Sequence, residues 1–351
     1  NRYDGYGFRV FQFLPFNANT LGDNSVFFLK EDPTTGKFWI GGSCCLNEFD
    51  PQTFTNTRYR YTHKQLEFSD RIFINQHEIL LACQYDVLLF DTRTKTFTKV
   101  PVYNEENKLV SLSRVENTAA DNKGNFMVLS KNGIFFFDPS TKTCRRKTTT
   151  SPDLSPFYQH QVFNVLNDRN GFYWIATNNE GLIRFDPATK QVVKFSSPSP
   201  ANTNNLRFDV VMEDQQNNIW AGSSNGLFKI NAKTLTSEYF SSALSHPEIN
   251  VITEDKNHTM WVGTVGGGLN KMIPQNAGFK NLRIADEQNT GTYVMAIQPV
   301  ANDIWFANIW DQVGKVELST GKVSVLRKPT MPASYSWYSE GSILKTDRNK
   351  P

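Results

Sequence analysis

The chain has 351 residues, a formal net charge of +3, 20% charged residues, and 13% aromatic residues that include 27 Phe. So mild a charge, with no basic run longer than Arg145-Arg146-Lys147, argues against a nucleic-acid partner. No apolar run approaches the ~18 residues of a membrane span, and Cys44, Cys45, Cys83 and Cys144 lack C-x-x-C spacing, so they read as packed thiols or one disulfide and not as a zinc site.

The first predicted element is an aromatic run, Phe8–Leu14, that reads as a lone strand. From Val26 onward one unit recurs. Its anchors Trp39, Leu80, Met127, Trp174, Trp220, Trp261 and Trp305 are separated by 41, 47, 47, 46, 41 and 44 residues. In the cleanest copies, beginning at Asp168, Asp214 and Asp255, an Asp stands six places before Trp. A Gly-Leu, or Gly181-Leu182 in the first of them, then opens a second apolar run.

Each unit parses into four short strands. Strand A is Val-centred (Val165-Leu166, Val210–Met212, Val251–Thr253), B carries the anchor, C follows Gly-Leu, and D ends in Phe (Val192–Phe195, Glu238–Phe240). Asp, Asn and Gly fill the A–B turns, and Asp91–Lys95, Asp138–Lys142 and Asp186–Lys190 are type I turn signals between C and D. A repeat of this length made only of short strands and turns is a propeller blade. The expected fold is therefore an all-β, seven-bladed β-propeller of four-stranded antiparallel blades. Trp at five of the seven anchors reads as a wedge between blades, and not as a sugar platform.

The seventh unit comprises Tyr293–Ile297, Ile304–Ala307 and Gly314–Leu318. A closed ring leaves no free sheet edge, so Phe8–Leu14 is expected as the outer strand of blade seven and the propeller is expected over 1–322. The tail Ser342–Asp347 resembles the opening of another repeat, so 323–351 is expected to lead into a second propeller. The chain begins at Asn1 without a basic, apolar leader, so any signal peptide is expected to have been removed beforehand or never present.

The pattern Asp-x-x-Gly-x-x-Trp-x-Gly-Thr-x-x-Gly-Leu, as approached at Asp214–Leu227 and Asp255–Leu269, resembles the two-component regulator propeller repeat. That repeat typifies periplasmic sensor regions of hybrid two-component systems in gut Bacteroidetes. The resemblance implies two propellers followed by a β-sandwich, a membrane helix, a histidine kinase, a receiver and a helix-turn-helix domain. It implies a homodimeric receptor that senses oligosaccharides, with the second propeller of the same chain as a partner and the membrane reached only through segments not in this sequence. It transfers no fixed ligand residues.

No catalytic signature stands in the chain: G-x-S-x-G, H-E-x-x-H and Walker-type loops are absent. Gly266–Gly268 joins two strands and is no phosphate cradle, while Asp168-x-Asn-Gly171 resembles the opening of a calcium loop but lacks its bidentate Glu. No enzyme activity, metal or cofactor is expected. Strand alternation puts the B–C and D–A loops on one face, and the long connections 59–70, 101–113, 149–163 and 197–208 make that face the expected binding surface.

The residues opening each strand A are expected to ring the channel mouth: Ser25, Arg71, Arg114, Asn164, Asp209, Asn250 and Tyr293. Nearby loops add Asn179, Asn225 and Trp310, and Trp310, Tyr158 and His160 are candidates to stack a pyranose. The competing readings are a purely structural propeller whose polar channel holds only water, and a propeller lyase or glycosidase, which needs two convergent carboxylates or a His/Tyr pair.

Overall fold

Runs of about five apolar and β-branched residues, each ended by Asp, Asn or Gly, are too short for helices but alternate enough to pair as strands. The structure, a computed structural model, describes residues 17–325 apart from 18, 24, 62–66, 149, 196–205, 274–277, 283–293, 301–302, 309–312, 318 and 320–321. Among the described residues seven sheets form, each built on four antiparallel strands in chain order, and the third carries one added strand. The all-β, seven-bladed propeller is thus the fold.

Strand A is innermost in every blade: Val26–Glu31, Phe68–Phe73, Val115–Ala120, Val162–Asn167, Phe208–Glu213, Ile249–Glu254 and Val294–Val300. Strand B carries the anchors, in Phe38–Gly42, Glu78–Cys83, Phe126–Ser130, Tyr173–Thr177, Asn218–Ser223, Met260–Thr264 and Asp303–Asn308. Strand D is the outer edge, for example Asn56–Tyr59 in blade one and Ser237–Phe240 in blade five. Blade three gains a fifth strand, Val102–Tyr103, parallel to Thr143–Arg145. The long connection before blade three thereby covers that sheet edge.

The Asp six places before Trp has a double task. In blade four, Asp168 Oδ1 accepts the N–H of Asn170 (2.9 Å) and Phe172 (3.0 Å), closing the A–B turn. Its Oδ2 accepts Trp174 Nε1 at 2.9 Å. Trp220 with Asp214 and Trp261 with Asp255 repeat the bond at 2.8 Å, and Trp39 makes it at 2.9 Å with Asp32, which stands seven places before it. A buried carboxylate is affordable only when so fully bonded. The C–D turns use the same chemistry: Asp91 Oδ1 accepts the N–H of Arg93 (2.8 Å) and Thr94 (3.0 Å), and Lys95 closes the turn at φ 58°.

Every anchor packs onto the following blade. Trp174 lies with Phe208 and Phe228 of blade five, Trp220 with Ile249 of blade six, and Trp261 with Phe306 of blade seven. Trp305 closes the ring against Val26 and Phe38 of blade one, with the Phe38 and Trp305 rings 5.2 Å apart edge to face. The wedge role expected for these tryptophans is the observed one. Close approach explains the small residue two places after them: a Cβ on Gly222 would stand 2.6 Å from Ile249 Cγ2, and one on Gly263 2.6 Å from Val294 Cγ1.

Blade seven completes its four strands with Lys322–Val325, paired antiparallel to Val313–Glu317. The expected boundary at 322 falls at the first residue of this strand. Residues 8–14 and 326–351 lie outside the described residues, and so do the second propeller's expected opening and Ser342–Asp347. Among the described residues no helix is long and apolar enough to cross a membrane.

Candidate functional site

A strand whose pairing never slips would point alternate side chains into the two flanking blade interfaces and none at the channel. All seven inner strands break this alternation at their second residue. Between Val26 and Phe28, and at the equivalent step in each blade, the register to strand B shifts by one. Each shift is a β-bulge, which re-aims one side chain. The residues so displaced are Phe27, Ser69, Glu116, Phe163, Asp209, Asn250 and Met295, and all seven line one central cavity of about 850 Å³.

The ring is divided. Phe27, Phe163 and Met295 give apolar surface, joined by Val251 and Ile297. Blades two, three and five supply charge in pairs. Arg71 bonds Asp70, Arg114 Nε lies 3.3 Å from Glu116 Oε2, and Arg207 Nε lies 3.0 Å from Asp209 Oδ2 while its Nη2 holds Glu248. Asp70 Oδ2 also accepts Thr118 Oγ1 at 2.6 Å and Thr118 N–H at 2.8 Å, tying blade two to blade three. Gln161 Nε2 reaches Glu116 Oε1 at 3.5 Å, and Asn178 Nδ2 donates to Gln161 Oε1 at 3.1 Å.

Burial pushes the Asp209 carboxyl above its ordinary value; Arg207 opposes this, while Glu248 and Glu116 add to it. Arg71 lies over the Phe28 ring at 5.2 Å, and its Nε is buried with no partner among the described residues.

Of the residues anticipated from sequence, Arg71, Arg114, Asn164, Asp209 and Asn250 line this cavity. The others do not. Tyr158 is a correction: it is core, with its hydroxyl donating to Arg146 O, its ring packed with Phe157 and Val162, and its phenol pushed up to about 12 by burial first. The 149–163 connection buries it by folding into a 3₁₀ turn, Ser155–Phe157. His160 pairs with Glu180 at 3.2 Å, away from the cavity lining. Asn179 and Asn225 are exposed and stand outside the lining, and Ser25 does too, its N–H held by Asp23 Oδ1 at 2.7 Å. Tyr293 and Trp310 lie outside the described residues.

Residues 243–266 span the connection into blade six and its first two strands, and they match the two-component regulator propeller family. This stretch is a two-component regulator propeller repeat. No curated protein matches the chain. Among solved structures, the extracellular domain of the hybrid two-component system BT4673 from B. thetaiotaomicron aligns with TM-score 0.68 at 16% identity, covering 91% of this chain and 40% of that one. The extracellular domain of BT3049 from the same organism aligns with TM-score 0.66 at 21% identity, covering 84% and 40%. Virginiamycin B lyase from Staphylococcus aureus aligns with TM-score 0.64 at 13% identity, covering 85% and 97%.

The two-component regulator propeller repeat is therefore set in a fold shared with extracellular domains of two-component systems and with a lyase. The chain spans about 40% of the length of these two extracellular domains. Sequence reasoning missed Glu116, Phe163, Phe27, Met295 and Arg207 in the lining. The signal that finds all of these but Arg207 is positional: each bulged residue follows directly on the buried residue that opens strand A.

Proposed function

We propose that this chain is a ligand-sensing propeller in the periplasmic region of a hybrid two-component receptor, and that it takes an oligosaccharide in its central channel. The observation that carries the reading is the ring of seven bulged side chains. Sugars present both hydroxyl edges and apolar C–H faces. Rings such as Phe27 and Phe163 suit the faces, and the pre-formed pairs Arg114–Glu116 and Arg207–Asp209 offer donors and acceptors in fixed positions to the edges. The repeat family and the likeness to extracellular domains of hybrid two-component systems support the setting.

Signalling follows from differential affinity. A glycan that binds one packing of this propeller against its neighbour or a second protomer better than another shifts the equilibrium between them, and that coupling free energy is passed on. The kinase that would receive it is expected in the rest of the receptor.

A thermal-shift screen against neutral and acidic oligosaccharides tests the reading, since a ligand that binds only the folded state raises the melting temperature. A rise with one glycan class supports it. No rise with any glycan overturns it in favour of a structural propeller. A second reading, a lyase, draws on the fold shared with virginiamycin B lyase and on the two channel carboxylates Glu116 and Asp209. Each of these is held by an arginine, which suits binding better than proton transfer.

A further inference from the structure

Blade one carries an arrangement that the channel does not use. Cys44 and Cys45, in its B–C loop, are joined as a disulfide between adjacent residues. Asp23 comes to them from the connection into strand A. Its Oδ2 accepts the Cys44 N–H at 2.9 Å and its Oδ1 accepts the Ser25 N–H at 2.7 Å, which orients the carboxylate. One donor atom from each of Asp23, Cys44 and Cys45 lies within 4.8 Å of the others.

Two glycines make room for this group. A Cβ on Gly22 would stand 1.8 Å from Cys45 Sγ and 2.7 Å from Cys44 Sγ, and one on Gly42 would stand 2.8 and 3.1 Å from the Asp23 oxygens. Cys45 is buried whereas Cys44 and Asp23 are half-buried, so the group is partly open to solvent.

We propose that Asp23, Cys44 and Cys45 form a redox-gated site for a thiophilic divalent cation, with zinc the ion whose ligand preference fits. In the disulfide form neither sulfur is a thiolate, and the site takes no metal. A dithiol reductant breaks the Cys44–Cys45 bond by supplying two electrons and two protons: two thiols form and the reductant closes to its own disulfide. Zinc then displaces both thiol protons to solvent and binds two thiolates and a carboxylate oxygen. That set leaves one tetrahedral position for water. The cysteine spacing alone argued against zinc; the third ligand comes from a different strand connection, which spacing does not reveal. Cys83 and Cys144 cannot stand in, since both are buried on other blades and burial pushes their thiols up.

The test is zinc titration of the whole chain against a chromophoric chelator, before and after reduction with a dithiol that is then removed under argon. Reduced protein is expected to take up one zinc and release two protons, and the disulfide form none. Asp23→Asn, which exchanges the carboxylate ligand for a neutral amide, is expected to weaken zinc, and Cys44→Ser to abolish stoichiometric uptake. The disulfide form of the unsubstituted chain is the control for folding. Equal zinc uptake by both redox forms, no uptake by the reduced form, or unchanged affinity in Cys44→Ser would each overturn the proposal.

Discussion

Tyr173 of blade four donates its hydroxyl to Asp121 Oδ2 of blade three at 2.8 Å. Blade three has Met127 where five of the blades have Trp, so its turn carboxylate has no indole partner. The neighbouring blade replaces that donor. Asp121 keeps the turn bonds, accepting Lys123 N–H at 2.9 Å and Asn125 N–H at 2.8 Å. Burial and this bond push the Tyr173 phenol well above its ordinary value.

Tyr173→Phe is therefore expected to cost about 1.5–3 kcal/mol, the range for a hydrogen bond to a charged group. Chemical denaturation measures it. A midpoint equal to that of the original chain would mean that the blade three turn is held by its own residues alone.

Trp174→Ala should cost about 3–5 kcal/mol, because it removes a wholly buried side chain and the indole bond to Asp168. Trp174→Phe keeps much of the volume but leaves Asp168 Oδ2 without the indole. It should fall between the two, by denaturant midpoint. Equal losses for both variants would assign the whole effect to the hydrogen bond.

Asp209 gives a pH dependence with a definite sign. Its folded carboxyl is raised above the ordinary value, by burial first. The folded state thus holds the proton more tightly than the unfolded chain, and this group's contribution to stability falls as pH climbs from about 4 through the raised value. Asp209→Asn removes that dependence. Melting curves from about pH 4 to 7 should show the variant gaining on the original chain as pH rises. Parallel curves would contradict the assignment.

How much of this was legible in the sequence follows from what each rule assumes. Repeat spacing needs only anchors such as Trp174, Trp220 and Trp261, so the blade number and the wedge role could be read directly. The Asp-to-Trp spacing likewise marked a real bond, Asp214 to Trp220. Channel residues were read as the residue opening each strand A. In blades two and three the strands open earlier or later than that reading, at Phe68 and Val115, and bulge at the next residue, so Arg71 and Arg114 were named while Ser69 and Glu116 were not. Tyr158 was misread because a connection without strand pattern was taken as exposed, whereas its 3₁₀ turn packs Phe157 and Tyr158 into the core.

Arg71→Ala tests the cationic side of the channel. Loss of one charged hydrogen bond should weaken an acidic glycan by about 1.5–3 kcal/mol and a neutral one by less. Equal affinity for both glycans relative to the unsubstituted chain would remove Arg71 from the site.

The most direct measurement is a paired calorimetric titration, with the glycan found by thermal shift, of Glu116→Ala and Asn225→Ala. Glu116 lines the channel and Asn225 stands exposed outside the lining. Binding in the channel predicts a loss of about tenfold or more in affinity for Glu116→Ala and none for Asn225→Ala. Unchanged affinity in Glu116→Ala, with a loss in Asn225→Ala, would contradict it and move the site to the outer loops.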